Sequence, residues 1–192
     1  MIMIDRDVDV ISPFCVNQNY EGLLDEFFGI KTCRISVDNK IVYPDEKVRK
    51  ELGHQEEGTT DFILTSEDSI FKEIRNKHFN VAGPHLNKQI ADIQRMMEDK
   101  NQKSIQELDR FIKKLKNMNI VKAKEIATSH INVAFSISQT QRNIDYLQIY
   151  SLEGKCIMGD ELRQIAQMLE AKMLKQYNKM KVLRALCLFS TT

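Results

Sequence analysis

PHLNKQIADIQRMMEDKNQKSIQELDRFIKKL, residues Pro84 to Leu115, holds two amphipathic segments separated by a purely polar run. Leu86, Ile90, Ile93 and Met97 recur at spacings of four, three and four, which lines them along one face of an α-helix. Pro84 suits the first turn of that helix, where no backbone N–H is needed, and Gly83-Pro84 reads as a break or kink. Glu98 to Lys103 has no apolar side chain, and Ser104-Ile105-Gln106-Glu107 has the form of a capping box, in which the serine and glutamate satisfy free amides at a helix start. The helix it opens carries Leu108, Phe111, Ile112 and Leu115. Two apolar stripes joined by a short polar tip predict an antiparallel helical hairpin. Part of that apolar surface must pack the partner helix, and what is left can accept a foreign one. Met96 and Met97 are adaptable side chains near the tip, and Leu86 to Asn117 carries eight Lys/Arg against five Asp/Glu.

Before the hairpin the pattern is mixed. Met1 to Ile4 is all apolar, as in a strand covered on both faces, and the charged turn Asp5 to Asp9 follows. This start and the apolar stretch Val182 to Phe189 both read as cuts from a longer chain. Tyr20 to Ile30 sets Leu23, Leu24, Phe27 and Phe28 at helical spacing and closes on Gly29. Thr32 to Tyr43 alternates apolar and polar residues about Asp38-Asn39, which predicts a tight β-hairpin. Pro44 to Gly58 reads as a polar loop and Asp61 to Leu64 as one more short strand.

From Ser66 onward, with that serine as a cap, helix dominates. Ile70, Phe71, Ile74 and His78 share a face, and the helical pattern resumes across Ile126 to Tyr150 with Val133, Ile137, Ile144 and Leu147. Gly154 reads as a break, Asp160 as a cap, and Leu162, Ile165, Ala166, Leu169 and Met173 as an amphipathic stripe, before a buried segment from Val182 to Phe189. The fold class is therefore mainly α with a small β portion.

Composition narrows the function. The 192 residues include 28 Lys/Arg and 27 Asp/Glu, a net charge of +1 that provides no overall field for nucleic acid or an acidic membrane surface. Val182 to Phe189 is too short to span a bilayer and contains Arg184, so contact with a membrane runs through partners. Cys15, Cys33, Cys156 and Cys187 are widely spaced and point to neither zinc nor a disulfide framework, which fits a reducing, cytoplasmic setting. His54, His78, His85 and His130 sit singly, and there is no phosphate loop, glycine-rich dinucleotide turn or nucleophile elbow.

One enzymatic pattern is present in part. An apolar strand running into Asp5-Arg6-Asp7 is similar to the start of haloacid-dehalogenase-type phosphatases, where one Asp is the nucleophile and the next the acid/base beside Mg²⁺. Asp9 stands where that family carries Thr or Val and would crowd the metal with charge, and Gln164 stands where its downstream metal-site Asp belongs. Aspartates solvating a strand end and pairing with Arg6 account for the pattern more simply.

Ile2-Met3-Ile4-Asp5-Arg6-Asp7-Val8-Asp9, Pro13 and Asn19-Tyr20-Glu21-Gly22-Leu23-Leu24-Asp25-Glu26-Phe27-Phe28-Gly29-Ile30 together resemble a contiguous stretch of Sec/Munc-type (SM) proteins, with Asn19 where Thr is usual. The Tyr20-Glu21-Gly22 form resembles the vacuolar-sorting branch of that family. Phe71-Lys72-Glu73-Ile74-Arg75-Asn76-Lys77-His78-Phe79 is similar to the family's E-x-R-x-K-x-F helix, and Ile112-Lys113-Lys114-Leu115-Lys116-Asn117-Met118 to its F-x-K-x-L-x-x-M stretch. Ser129-His130-Ile131 and Lys181-Val182-Leu183-Arg184 fall where further short matches are expected.

The resemblance implies a middle piece of an SM protein: residues 1–12 as the closing strand of a preceding α/β domain, 13–125 as domain 3a with its helical hairpin, and 126–192 as the start of domain 3b. It also implies no catalysis and no cofactor. The partners it implies are syntaxin-like and vesicle SNARE proteins and the subunits of the HOPS and CORVET tethering complexes, at endosome, lysosome or vacuole membranes. The SNARE-binding residues expected on the hairpin are Leu86, Gln89, Ile90, Ile93, Met96, Met97, Leu108 and Ile112. Self-association of the chain is expected from apolar surface left without its usual neighbours.

Overall fold

The computed structural model describes residues 9–98, 120–159 and 162–191. In chain order the helices are α1 (Tyr20–Phe28), α2 (Asn39–Val42), α3 (Glu46–Glu51), α4 (Ser69–Ile74), α5 (Phe79–Glu98), α6 (Ile120–Gln141), α7 (Ile144–Met158), α8 (Leu162–Leu174) and α9 (Lys179–Thr191). Strands β1 (Arg34–Asp38) and β2 (Thr59–Ile63) pair antiparallel, with Ile35 opposite Phe62 and Val37 opposite Thr60. A mainly α fold with a small β portion is thus what the chain adopts. Two compact units are present, one within Gln18–Ser138 and the other drawn from Met1–Asn17 and Gln139–Thr192.

In the Gln18–Ser138 unit, Asn19 caps α1 by accepting from the Gly22 amide, and Gly29 ends the helix at φ 74°, where an L side chain would be strained. Tyr20, Leu23 and Leu24 are wholly buried, and so is Val37 on the inner face of β1, with Ile35 at 2% exposure beside it. Each such apolar side chain contributes about 1.5–3 kcal/mol by leaving water.

The predicted hairpin about Asp38-Asn39 does not form. A two-residue hairpin turn needs positive φ at its central positions, whereas Asp38 has φ −54° and uses its carboxylate to cap α2 at the Lys40 amide. Asn39 is buried and turns its side chain to Gln55 and Thr60, so the chain makes an excursion through α3 before β2 returns to pair with β1. The polar run from Pro44 therefore contains a helix where a loop is predicted, capped by Asp45 at the Lys47 amide.

Other boundaries shift too. Asp68, not Ser66, caps α4, because its Oδ1 accepts from both the Ile70 and Phe71 amides. Gly83-Pro84 does not break the chain: α5 starts at Phe79 and runs through Pro84. The missing proline N–H falls in the second turn, and Asn80, the residue whose carbonyl it would have served, is exposed to water. Residues of the predicted tip and of its second stripe, including Leu108 and Ile112, lie outside the described residues, as do Asp160, Asp5 and Asp7.

In the other unit, Leu152, Cys156, Ile165, Leu169, Ala185 and Leu188 form the core, flanked by Ile11, Phe14 and Phe189. Glu153 is buried among them and accepts from the Val16 amide at 3.3 Å and from Arg184 Nη2 at 3.0 Å. Gly154 lies inside α7 instead of breaking it. The helical run expected across Ile126 to Tyr150 divides at Arg142 and Asn143, where Asn143 caps α7, and Ile144 and Leu147 are 69% and 51% exposed because Tyr146, Ile149, Leu152 and Cys156 face the core. In α9 only Val182, Ala185 and Leu188 are buried, a narrower face than the apolar run suggested.

Candidate partner-binding helices and the node at their root

Three of the segments that carry the family resemblance, Asn19 to Ile30, Phe71 to Phe79 and Ser129 to Ile131, meet at one place. Gln18 to Tyr20 runs antiparallel to Lys77 to Phe79, the Tyr20 amide donating to the Lys77 carbonyl at 3.1 Å and the Phe79 amide to the Gln18 carbonyl at 2.9 Å. Arg75 donates two parallel hydrogen bonds to Glu21, Nε to Oε2 at 2.9 Å and Nη2 to Oε1 at 2.8 Å, the geometry in which a guanidinium holds a carboxylate most specifically. These contacts fix the start of α5 against α1.

Beneath them lies a buried polar chain. Tyr20 Oη is 2.9 Å from His130 Nδ1, and His130 Nε2 is 2.9 Å from Asp68 Oδ2. Burial opposes ionisation of Asp68, but the His130 bond and the amides of Phe71 and Ile70 outweigh it and hold the carboxyl below its usual range. A carboxylate only accepts, so His130 Nε2 carries a proton, and in the neutral ring Nδ1 accepts from the Tyr20 hydroxyl. Burial and the charge of Asp68 raise the Tyr20 phenol well above its usual value, which keeps it a donor. Phe62 and Phe71 pack around the imidazole, and Tyr20 stacks on Phe79 with ring planes 5° apart. The node therefore joins α1, the cap of α4, the start of α5 and the middle of α6.

Above the node, α5 and α6 border a groove of about 260 Å³ lined by Phe79, Gly83, Pro84, Leu86, Ile131 and Phe135, with Phe135 64% exposed at its edge. Leu86 is wholly buried and packs the unit's own core at the floor of this groove. Gln89 donates from Nε2 to Glu73 Oε2 at 2.6 Å, and His85 Nε2 meets the same oxygen at 2.9 Å, so this turn of α5 is tied to α4. Ile90 is partly buried one turn above Leu86. Ile93, Met96 and Met97 belong to the last turns of α5, while Leu108 and Ile112 lie outside the described residues.

The single histidines have distinct settings. His130 is the core residue of the node, His54 stacks on Tyr43 at 4.5 Å, and His78 Nδ1 accepts from the Asn80 amide. Among the described residues no group of His, Cys, Asp and Glu is arranged to hold a metal ion, and no helix is long and apolar enough to cross a membrane. Nothing in spacing or periodicity marks Tyr20, Asp68 and His130 as partners. The available signal was that Tyr20 and His130 each sit in a family-like motif, although 110 residues separate them.

Three family-like motifs thus converge on an α-helical scaffold beneath a long helix, and comparison places the chain in a family. The Sec1 family model matches residues 1–192, and the chain belongs to the Sec1 family. Its relatives include vacuolar protein sorting-associated protein 33B of Danio rerio, 27% identical over 193 residues that cover 100% of this chain and 29% of the relative. Vacuolar protein sorting-associated protein 33A of Rattus norvegicus is 26% identical over 99% of this chain and 32% of its own length. The vacuolar protein-sorting-associated protein 33 homolog of Arabidopsis thaliana is 27% identical over 100% of this chain and 30% of its own length. The chain thus spans about three tenths of the length of these curated relatives. The phosphatase alternative built on Asp5 and Asp7 finds no support in these comparisons.

Proposed function

We propose that the chain is the SNARE-templating part of an SM protein acting in vesicle docking and fusion on the endosome, lysosome and vacuole route, within HOPS and CORVET tethering complexes. In this reading residues 13–125 are domain 3a and residues 126–192 begin domain 3b. Membrane association is indirect, through SNAREs and tethering subunits, and the chain catalyses nothing and uses no cofactor. The observation that carries the reading is the clamped root of α5: the Arg75–Glu21 pair and the Tyr20–His130–Asp68 chain hold a helix of 20 residues whose far turns carry Ile93, Met96 and Met97.

The physics suits a template. A SNARE motif is an amphipathic helix that is disordered alone, and a rigid helical face lowers the entropy it must lose on ordering. Such a surface must also release its ligand, so modest contacts spread over Ile90, Ile93, Met96 and Met97 fit better than one deep anchor. Titration of a labelled vesicle-SNARE peptide into the chain tests this. Ile93→Asp combined with Met97→Asp abolishes binding while far-ultraviolet circular dichroism stays unchanged; binding that survives the pair rules out this face.

A further inference from the structure

Helix α7 is apolar around most of its circumference, yet its own unit covers only one side of it. Tyr146, Ile149, Leu152, Glu153 and Cys156 are buried. At about 100° per residue, a second stripe lies beside them over roughly 140° of the helix surface: Ile144, Leu147, Tyr150, Gly154, Ile157 and Met158. Its large side chains are 69%, 51%, 47%, 49% and 76% exposed in chain order. No charged residue belongs to the stripe. Of the charged residues of α7, Asp145 accepts from Lys172, Glu153 from Arg184, and Lys155 donates to Gln164.

We infer that this stripe is a self-association surface, on which α7 of a second copy of the chain lies antiparallel across a two-fold axis near Ser151. The pattern is complementary to itself. A two-fold axis between Tyr150 and Ser151 sets Ile144 of one copy against Ile157 of the other, and Leu147 against Gly154. Gly154 has no heavy atom within 4 Å of the point where a Cβ would stand, so it leaves an open notch for the opposite leucine. Antiparallel helix dipoles attract, and no charge on the stripe has to be buried. The open large side chains offer roughly 600 Å² per copy, which brings the pair to the lower edge of the about 1,200–2,000 Å² typical of stable complexes. At this size a weak dimer is expected, with a dissociation constant of about micromolar to submillimolar.

Sedimentation equilibrium of the full chain from low micromolar to submillimolar concentration tests the assignment. The expected mass climbs from 22.4 kDa toward twice that value. Leu147→Glu and Ile157→Glu each weaken the dimer at least tenfold, since a two-fold contact repeats every change. Gly154→Leu gives a readout that does not depend on disturbing the fold: it raises the melting temperature by improving helix propensity and weakens the dimer at least tenfold by filling the notch. Leu183→Glu, on α9 and outside the stripe, leaves the dimer as it is. A mass that stays at one chain throughout, a dimer that Leu147→Glu and Gly154→Leu leave intact, or one that Leu183→Glu dissociates would overturn the assignment.

Discussion

Replacing Tyr20 by Phe tests the buried node with the smallest change available. The phenylalanine ring keeps the volume and the stacking on Phe79, and only the hydroxyl that reaches His130 Nδ1 at 2.9 Å is lost. His130 is 2% exposed, so its Nδ1 becomes a buried acceptor without a donor. It cannot recover by exchanging tautomers, because Asp68 requires the proton on Nε2. Leaving such a group unsatisfied costs about 1–3 kcal/mol, a large part of the about 5–15 kcal/mol that stabilises an ordinary domain. Tyr20→Phe combined with His130→Leu removes both polar atoms, so the double variant loses less than the sum of the single losses, by about 1–3 kcal/mol. The chain has no Trp, so unfolding in urea is followed by far-ultraviolet circular dichroism, with hydrogen exchange at the α1 amides assigning the transition to the Gln18–Ser138 unit. A Tyr20→Phe chain within about 0.5 kcal/mol of the parent, with α1 protection unchanged, would refute a buried His130 acceptor that depends on the Tyr20 hydroxyl.

Arg75→Lys replaces two parallel hydrogen bonds to Glu21 with one point charge. Both side chains are about one third exposed, so solvent screening limits the loss to about 0.5–1 kcal/mol in the same urea titration, and a neutral result would mean that the pair adds geometry without stability. Acid should weaken the fold through Asp68. Its carboxyl titrates lower in the folded chain than in the unfolded one, so its contribution is complete above the unfolded value of about 4 and fades as pH falls through the folded value. The stability gap between the parent and Asp68→Asn should therefore be level near neutrality and narrow on acidification; a gap that widens contradicts the direction of the shift.

Much of this fold is legible where one signal acts alone. Gly29 closes α1, and Ile35 and Val37 alternate along β1, because helix termination and strand alternation are local effects. Legibility fails where a distant partner decides. Asp38-Asn39 has the composition of a turn, but Asn39 is claimed by Gln55 and Thr60, and the strand waits for a partner beyond α3. Pro84 is a breaker by composition, yet the main-chain pairing of residues 18–20 with 77–79 starts the helix earlier and leaves the proline within its second turn. Periodicity alone likewise could not tell which of the two apolar stripes of α7 the core would take. For the candidate site, spacing identified α5 as a helix with an apolar face, but not that Leu86 is spent on the unit's own packing. The node stayed hidden because Tyr20, Asp68 and His130 come from three separate stretches and only the fold brings them together.

Asn39 has one further consequence. Its main-chain N–H donates to the Gly58 carbonyl, its side-chain Nδ2 to the Gln55 carbonyl, and its Oδ1 accepts from the Thr60 hydroxyl. This one side chain works as a clasp, closing the excursion at its neck whatever the chain does between Tyr43 and His54. Because closing a longer loop costs only about 0.6 kcal/mol per doubling of its length, insertions or deletions inside that excursion should be tolerated with the strand register intact. Related chains are free to differ in length there, whereas the neck itself, Asn39 with Gln55 to Thr60, has no such latitude.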